Sequence, residues 1–398
     1  MEQFDAVIVG GGVAGAAMGV ALGRYNLNAV VLERRREVGE INRGDALQIA
    51  AVRALDRIGA LDAIFEAGGQ KTGRMVFSHY RKGLLGHFDI SQAFDPPFNY
   101  ILTLPHEKIE AALIQEAERR GVPTRRGHTV RMIRRVDDLM ILSVHGEEGD
   151  YDIRARIVIG ADGKFSTVRK CFGEEPETYW YEQECVVIEA EEPAGVPTEM
   201  RMAYHPDGFL VIGPLSPTVV RVYIMSLRHD AANIFRMSAD EIRKLAIGRD
   251  PFLEGYQFSK RGAHIFKMGL YHCNAYVADG CALIGDAAHI TSPAGGHGMN
   301  LAINDAEELA DRIGPKLAAG EPVSMGDLKD YEAERRQANE QALRQAHEIF
   351  MRLTGPDLGY RIMRPLLFWT WANIPAIPGR MFKQMVNLGI SPSRRQAS

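Results

Sequence analysis

Cysteine is scarce in this chain. Of 398 residues only Cys171, Cys185, Cys273 and Cys281 carry thiols, with no C-x-x-C spacing and no His-rich stretch around them. Neither a disulfide framework nor a zinc site is expected. Charge of one sign is also missing: the net charge is −4, which argues against broad electrostatic attraction to nucleic acid. No uncharged apolar run is long enough to span a bilayer, and the nearest, Pro365 to Ile377, is interrupted by Pro375. The first strand-like run begins within a few residues of Met1. That leaves no room for a signal peptide or basic pre-sequence, so a cytoplasmic location is expected. The sequence offers no Ser-His-Asp or metal-ligand constellation and names no general base. The length implies two or more domains, or one with large insertions.

Glycine is plentiful, and its placement organises the chain. Ala6-Val7-Ile8-Val9 reads as a buried parallel strand, Gly10-Gly11-Gly12-Val13-Ala14-Gly15 follows directly, and small residues from Ala16 to Leu22 continue as a helix. Gly10 permits the tight turn, Gly12 leaves room for a pyrophosphate, and Gly15 lets the helix lie close to the sheet. The helix N-terminus then offers Val13 and Ala14 N–H groups to the phosphates. A second strand, Asn28 to Leu32, ends in Glu33, eighteen residues after Gly15 and suited to an adenosine ribose. This context predicts a bound dinucleotide, FAD or NAD(P). The run Arg34-Arg35-Arg36 follows; Arg34 is a candidate phosphate or adenine contact, and a solvated face is the other reading.

Two further strands end in acids. Ile157-Val158-Ile159-Gly160-Ala161-Asp162-Gly163 leads into a helix near Ser166, and Ala282-Leu283-Ile284-Gly285-Asp286-Ala287-Ala288-His289 leads into the glycine-rich loop Pro293 to Asn300 and a long helix to Leu317. An acid at the carboxyl end of a parallel strand is where open α/β sheets hold ligands. Asp286 suits a ribityl hydroxyl, and the helix opening at Gly298 suits negative charge on a reduced flavin.

Between these motifs the pattern changes. From Trp180 to Phe266 short Val/Ile/Tyr/Phe-rich runs alternate with Gly/Pro turns, and one helical interval spans Ser238 to Gly248. This predicts a mostly antiparallel sheet forming a substrate domain. Tyr204, Phe209, Tyr223 and Met225 are candidates for its pocket-lining face, although strand alternation equally predicts ordinary core for each. The expected organisation is therefore α/β. A discontinuous Rossmann-like FAD-binding domain (1–73, 99–179 and 268–320) has a parallel sheet. The antiparallel substrate domain takes 74–98 and 180–267, and a helical region takes 321–398.

The order GGGVAG, ADGKFSTVR, GDAAH…PAGGHGMN resembles the single-component FAD-dependent aromatic hydroxylases of the p-hydroxybenzoate hydroxylase type, and covers about 300 residues. The resemblance implies FAD, with Glu33 on the ribose, Arg43 beside the phosphates and the moving flavin, and Asp286 on the flavin side. It places Gly296, Gly298, Met299 and Asn300 at the isoalloxazine ring, and Asp162 near FAD with a part in NAD(P)H binding. His106 stands where many members carry Arg or Gln, so it is either a cofactor contact or a plain helix-start histidine. His297 stands where Gln is frequent, and is either a proton donor or a solvent-facing loop residue. The Pro293 carbonyl is a candidate for orienting substrate. The loop Ile41 to Leu47 is similar to enzymes acting on alkylquinolones and in quinone biosynthesis.

The implied reaction is reduction of FAD by NADH or NADPH, formation of a C4a-hydroperoxide with O2, and oxygen transfer to an aromatic or quinoid small molecule. A reductase or dehydrogenase of the same fold, acting on a quinone or prenyl substrate without oxygen insertion, is the alternative; a non-catalytic FAD-binding protein is a third class. Only one strand–glycine–helix fingerprint occurs, so the nicotinamide binds transiently or reduced flavin comes from elsewhere. The expected state is monomer or homodimer. The apolar segment Ile362 to Ile377, with Arg361, Arg364 and Arg380, admits four readings: packing on the body, lining a lipophilic entrance, a dimer contact, or peripheral contact with a membrane surface.

Overall fold

In the computed structural model the described residues are 1–39, 44–293, 296–374 and 389–395. The chain runs β1 (Gln3–Val9), α1 (Val13–Gly23), β2 (Ala29–Glu33), β3 (Ala46–Leu47), α2 (Ile49–Arg57), α3 (Leu61–Glu66), β4 (Gln70–Thr72), β5 (Arg74–His79), β6 (Gly83–Asp89), α4 (Ile90–Ala93), β7 (Ile101–Thr103) and α5 (His106–Arg119). It continues through β8 (Thr124–Arg126), β9 (Thr129–Val136), β10 (Leu139–Gly146), β11 (Gly149–Gly160), α6 (Thr167–Cys171), β12 (Tyr179–Glu191), β13 (Met200–His205), β14 (Gly208–Pro214) and β15 (Val219–Ser226). After α7 (Ala231–Arg236) and α8 (Ala239–Arg249) come β16 (Gln257–His272), β17 (Val277–Ala278), β18 (Cys281–Leu283), β19 (His289–Ile290), α9 (His297–Ala318), α10 (Met325–Thr354), α11 (Leu358–Asn373) and α12 (Pro392–Arg395).

The first sheet has the order β17-β18-β11-β1-β2-β8, with the β9–β10 hairpin extending from β11. Strands β18, β11, β1, β2 and β8 pair in parallel. Their apolar runs are covered on both faces: Ala6, Val7 and Ile8 are fully buried among side chains of α1, α5 and α9. Burying a Val or Ile contributes about 1.5–3 kcal/mol. The register pairs Val9 with both Gly160 and Leu32, and Gly160 with Leu283. All three glycine-containing turns therefore leave the same edge of one sheet.

The second sheet has the order β19-β16-β12-β15-β14-β13-β5-β6 and is antiparallel except for β13 beside β5. One of its faces packs on α7 and α8 through Val186, Ile188, Leu210, Val222 and Ile224. The opposite face carries Cys185, Val187, Phe209 and Met225 and meets Phe350 of α10 and Phe368 of α11. Helix α8 starts where expected, at Ser238, whose hydroxyl accepts the Glu241 amide while the Glu241 carboxylate accepts the Ser238 amide. A small third sheet, β3-β7-β4, was not legible, because strands of two or three residues leave no period to read.

Candidate active site

The glycine turn after β1 takes the shape its spacing requires. Gly10 has φ +104°, and a Cβ there would lie 2.4 Å from the Ala161 carbonyl oxygen. At Gly15 a Cβ would meet the Gly10 carbonyl at 1.9 Å, so α1 could not sit this close with any other residue. At Gly12 a Cβ would meet nothing within 4 Å. Gly12 is the N-cap of α1 and no side chain caps that end. The first-turn N–H groups of Val13, Ala14 and Gly15 thus border open space, which is an anion site by construction.

Glu33 lies across this turn. Its Oε2 accepts the Gly11 amide at 2.6 Å, and its Oε1 accepts the Arg35 amide at 2.8 Å. Of the arginine run it is Arg35 that turns inward, donating to Glu33 at 3.2 Å and to Glu110 at 2.8 Å, whereas Arg34 is exposed. Arg126 stands opposite Glu33 in the parallel register. Both terminal nitrogens of its guanidinium and the Glu110 Oε2 are buried with no hydrogen-bond partner. Buried polar groups are normally satisfied. Among the described residues these three atoms beside Glu33 are left for a polar partner. No local pattern points to Glu110 or Arg126, because the pairing of β8 with β2 is what brings Arg126 here.

The other two motifs reach the same edge. Gly285, φ +59°, is wedged between the helices: a Cβ there would lie 3.0 Å from the Ala14 Cβ and 3.0 Å from the Ala302 Cβ. Asp286 follows directly, in the short turn Gly285–Ala287. The Gly285 amide donates to Asp305 Oδ2 at 3.0 Å, and Asp305 also receives His289 at 2.7 Å, Arg335 at 2.8 Å and Asn339 at 3.0 Å. Burial pushes the Asp305 carboxyl up, but Arg335 and His289 outweigh it and hold the group well below the usual carboxylate range. Arg169, from the second motif, donates to the Ala287 carbonyl at 2.8 Å and to Tyr271 at 2.9 Å, tying the two acidic turns together.

Asp162 lies beside the same glycine turn. It abuts Gly10, but its carboxylate receives the Ser166 hydroxyl and the Thr167 and Val168 amides at 2.6 and 3.3 Å. Its oxygens serve the start of α6.

At the opening of α9, Gly296 has φ +63°, provides no side-chain cap, and has no neighbour within 4 Å of where a Cβ would stand. Among the described residues no atom stands where a side chain at this position would begin. His297 does not face solvent. It is 1% exposed, burial pushes its pKa down to about 4, and its Nε2 has no hydrogen-bond partner among the described residues. The Pro293 carbonyl accepts the Gly296 amide at 2.9 Å and so closes a turn. Met299 is half-buried against the core, and Asn300 spends its side chain on the protein. The Asn300 Oδ1 accepts the Gln48 amide at 2.7 Å, and its Nδ2 donates to the Ala46 carbonyl at 3.1 Å. Asn300 thereby pins the 44–48 loop to the head of α9. Arg43 lies outside the described residues.

That loop carries the residue the sequence reading missed. Asp45 is buried, and Arg221 Nη1 donates to both its oxygens at 2.6 and 2.8 Å. The Tyr223 hydroxyl donates to Asp45 Oδ2 at 2.7 Å and the His106 amide to Oδ1 at 3.1 Å. His106 is thus a helix-start residue bonded to this loop, its Nδ1 lying 3.3 Å from the Gly44 carbonyl. Burial raises the Asp45 pKa to about 6, against the opposing pull of Arg221 and Tyr223. Arg221, Tyr223 and Met225 share one face of β15, and Arg221 also holds Glu189 at 2.7 Å. This face therefore grades from apolar at Tyr204, Phe209 and Met225, which are buried in the cluster under α10 and α11, to charged at Arg221 and Asp45. Of the four pocket candidates, Tyr223 alone is seen to reach the loop beside α9. The signal was available: a charged residue alternating with Tyr223 along an otherwise apolar strand.

A family model described as FAD binding domain matches residues 3–346. Rifampicin monooxygenase of Streptomyces venezuelae is 27% identical over 378 residues, covering 92% of this chain and 75% of that protein. The 3-demethoxyubiquinol 3-hydroxylase of Escherichia coli is 26% identical, covering 90% of each. Among solved structures, p-nitrophenol 4-monooxygenase PnpA from Pseudomonas putida superposes with a TM-score of 0.80 at 22% identity over 98% of this chain and 99% of that one. PqsL of Pseudomonas aeruginosa in complex with 2-aminobenzoylacetate gives 0.79 at 24% identity over 92% and 100%.

Proposed function

The chain belongs to the FAD binding domain family, and we propose that it is a monooxygenase that hydroxylates an aromatic or quinoid small molecule with NAD(P)H and O2. The observation that carries this reading is Gly285 wedged between α1 and α9. Two helices whose N-termini carry no side-chain cap close on this glycine and Asp286 follows it, which suits an elongated dinucleotide with an anionic middle and a ring at one end.

The fit of FAD is specific in its residues. The α1 N-terminus at Gly12, Val13, Ala14 and Gly15 would take the pyrophosphate, and Glu33 with the unsatisfied Arg126 and Glu110 would take the adenosine. Asp286 would take the ribityl chain, and the open head of α9 at Gly296 and Gly298 would take the ring edge where negative charge develops. When bound, FAD supplies hydride acceptance and the activation of O2. The protein supplies orientation and proton handling. Asp45, with a pKa near 6, is largely ionised at neutral pH and is placed to accept a proton from a ring hydroxyl or amine. Arg221 keeps that carboxylate charged, and the Tyr223 hydroxyl is the donor that can turn from Asp45 to a substrate oxygen. An electron-rich ring is what such a base favours, because losing its proton raises electron density at the carbon attacked.

The test is NAD(P)H oxidation in air against phenols, quinolones and quinols, with product masses. A product heavier by one oxygen atom supports the reading. Oxidation of NAD(P)H that reduces a quinone without adding oxygen would replace it by the reductase alternative.

A further inference from the structure

Helix α11 is turned inside out. A surface helix normally faces its apolar stripe inward and its charges to water. Here Arg364 and Phe368 are buried, while Leu358, Ile362, Leu366 and Trp369 point outward, Ile362 at 68% and Leu366 at 57% exposure. Their spacing of four, four and three residues places them on one face. Arg364 is held inside by the Gly355 carbonyl at 2.6 Å. Its position fixes the helix's rotation about its own axis and so fixes which face meets solvent. Contiguous exposed apolar surface of this kind marks an interaction site.

The charge around the stripe says what covers it. Asp357, at the N-cap of α11, is the last acidic residue in the chain. Residues 358–398 hold six Lys or Arg and no Asp or Glu, so a chain of net −4 carries −10 before Leu358 and +6 after it. Arg361 lies exposed beside the stripe, and the turn between β5 and β6 adds exposed Arg81, Lys82 and Leu84. That turn is adjacent: the Phe368 ring lies 4.9 Å from Tyr204, whose ring is 5.4 Å from His79 at the end of β5. Exposed Asp357 stands at the start of the stripe, but Arg361, Arg81 and Lys82 outnumber it, and an apolar face with a net positive rim is complementary to an anionic surface with an apolar interior. A second copy of this chain is the weaker fit, because a two-fold contact brings a patch against itself and sets Arg361, Arg81 and Lys82 against their equivalents with Asp357 as the one flanking acid of α11 to offset them.

From this we propose that α11 and the β5–β6 turn form a peripheral docking site for an anionic phospholipid bilayer. The helix lies in the interface with Ile362, Leu366 and Trp369 in the acyl boundary and Arg361, Arg81 and Lys82 at the headgroups. It lies on the bilayer and does not cross it. At 1.5 Å per residue its 16 residues are shorter than the ~30 Å hydrocarbon core, and no helix among the described residues is long and apolar enough to span.

The experiment is flotation of the full-length holoenzyme with phosphatidylcholine vesicles, with and without phosphatidylglycerol. The expected result is binding to the anionic vesicles about tenfold above the neutral ones, weakened by added salt. The double variant Ile362→Glu/Leu366→Glu should lose that binding about tenfold while keeping its flavin absorbance and its NAD(P)H oxidation in solution. Arg361→Glu should lower binding to anionic vesicles and leave the neutral baseline alone. Failure of the wild type to float with either vesicle overturns the proposal. So does binding that both variants retain, or a wild-type dimer in sedimentation that the double variant splits into monomers.

Discussion

Asp45 is where three elements meet in one side chain. The loop that carries it is pinned to α9 by Asn300, its oxygens are held by Arg221 and Tyr223 of β15, and the first amide of α5 donates to it. With its pKa raised to about 6, Asp45 is protonated below that pH and cannot accept a substrate proton there. Hydroxylation should therefore rise with pH through about 6 and then level. Asp45→Asn should lower kcat by about 10²-fold and abolish that limb, since positioned acid–base groups contribute 10²–10⁴-fold; initial rates from pH 5 to 9 check this. At Gly12 the expectation concerns binding alone. A Cβ there meets nothing in the protein, so Gly12→Val should leave stability almost unchanged while filling the space before α1. FAD affinity should fall at least about tenfold, or ~1.4 kcal/mol, measured by fluorescence titration with thermal melts as the control.

Among the elements, the strands and turns of the dinucleotide site were legible because their determinants are local. A buried run, three glycines at fixed offsets and an acid at the next strand's end lie within about thirty residues, and each has one mechanical job. Asp45 and Arg221 were not legible, being 176 residues apart and joined only when β15 folds over the 44–48 loop. The inversion of α11 escaped for a related reason: periodicity shows that a helix has an apolar face but cannot show which way the face is turned. Buried polar contacts between elements also set the response to acid. Asp305 binds the Gly285 turn to Arg335 of α10, and its folded pKa lies below its unfolded value. Its stabilisation is thus complete above about pH 4 and is lost as pH falls below that. Asp305→Asn leaves Arg335 buried without its counter-charge and should cost about 3–5 kcal/mol at pH 7. In urea unfolding the gap between wild type and variant should narrow as pH drops from 5 to 3.

For the molecule as a whole, the proposed function has two sheets serving two halves of one ligand path. The parallel sheet gathers every motif turn on its carboxyl edge, where open α/β sheets hold dinucleotides. The antiparallel sheet lowers Arg221 and Tyr223 toward that edge from the other side. Helices α10 and α11 close the remaining apolar face through Phe350 and Phe368, which leaves the outer face of α11 to something beyond the chain. The convergence of α1, the Gly285 turn and α9 is the claim from which the rest follows. It is tested most directly by a visible-absorbance titration of FAD into the wild type and Gly285→Val. The account predicts one FAD per wild-type chain, and a variant that keeps its fold by circular dichroism yet binds at least about tenfold more weakly, because the added methyls spread Ala14 from Ala302. Wild type that takes up no FAD, or a folded Gly285→Val chain with undiminished affinity, would contradict it.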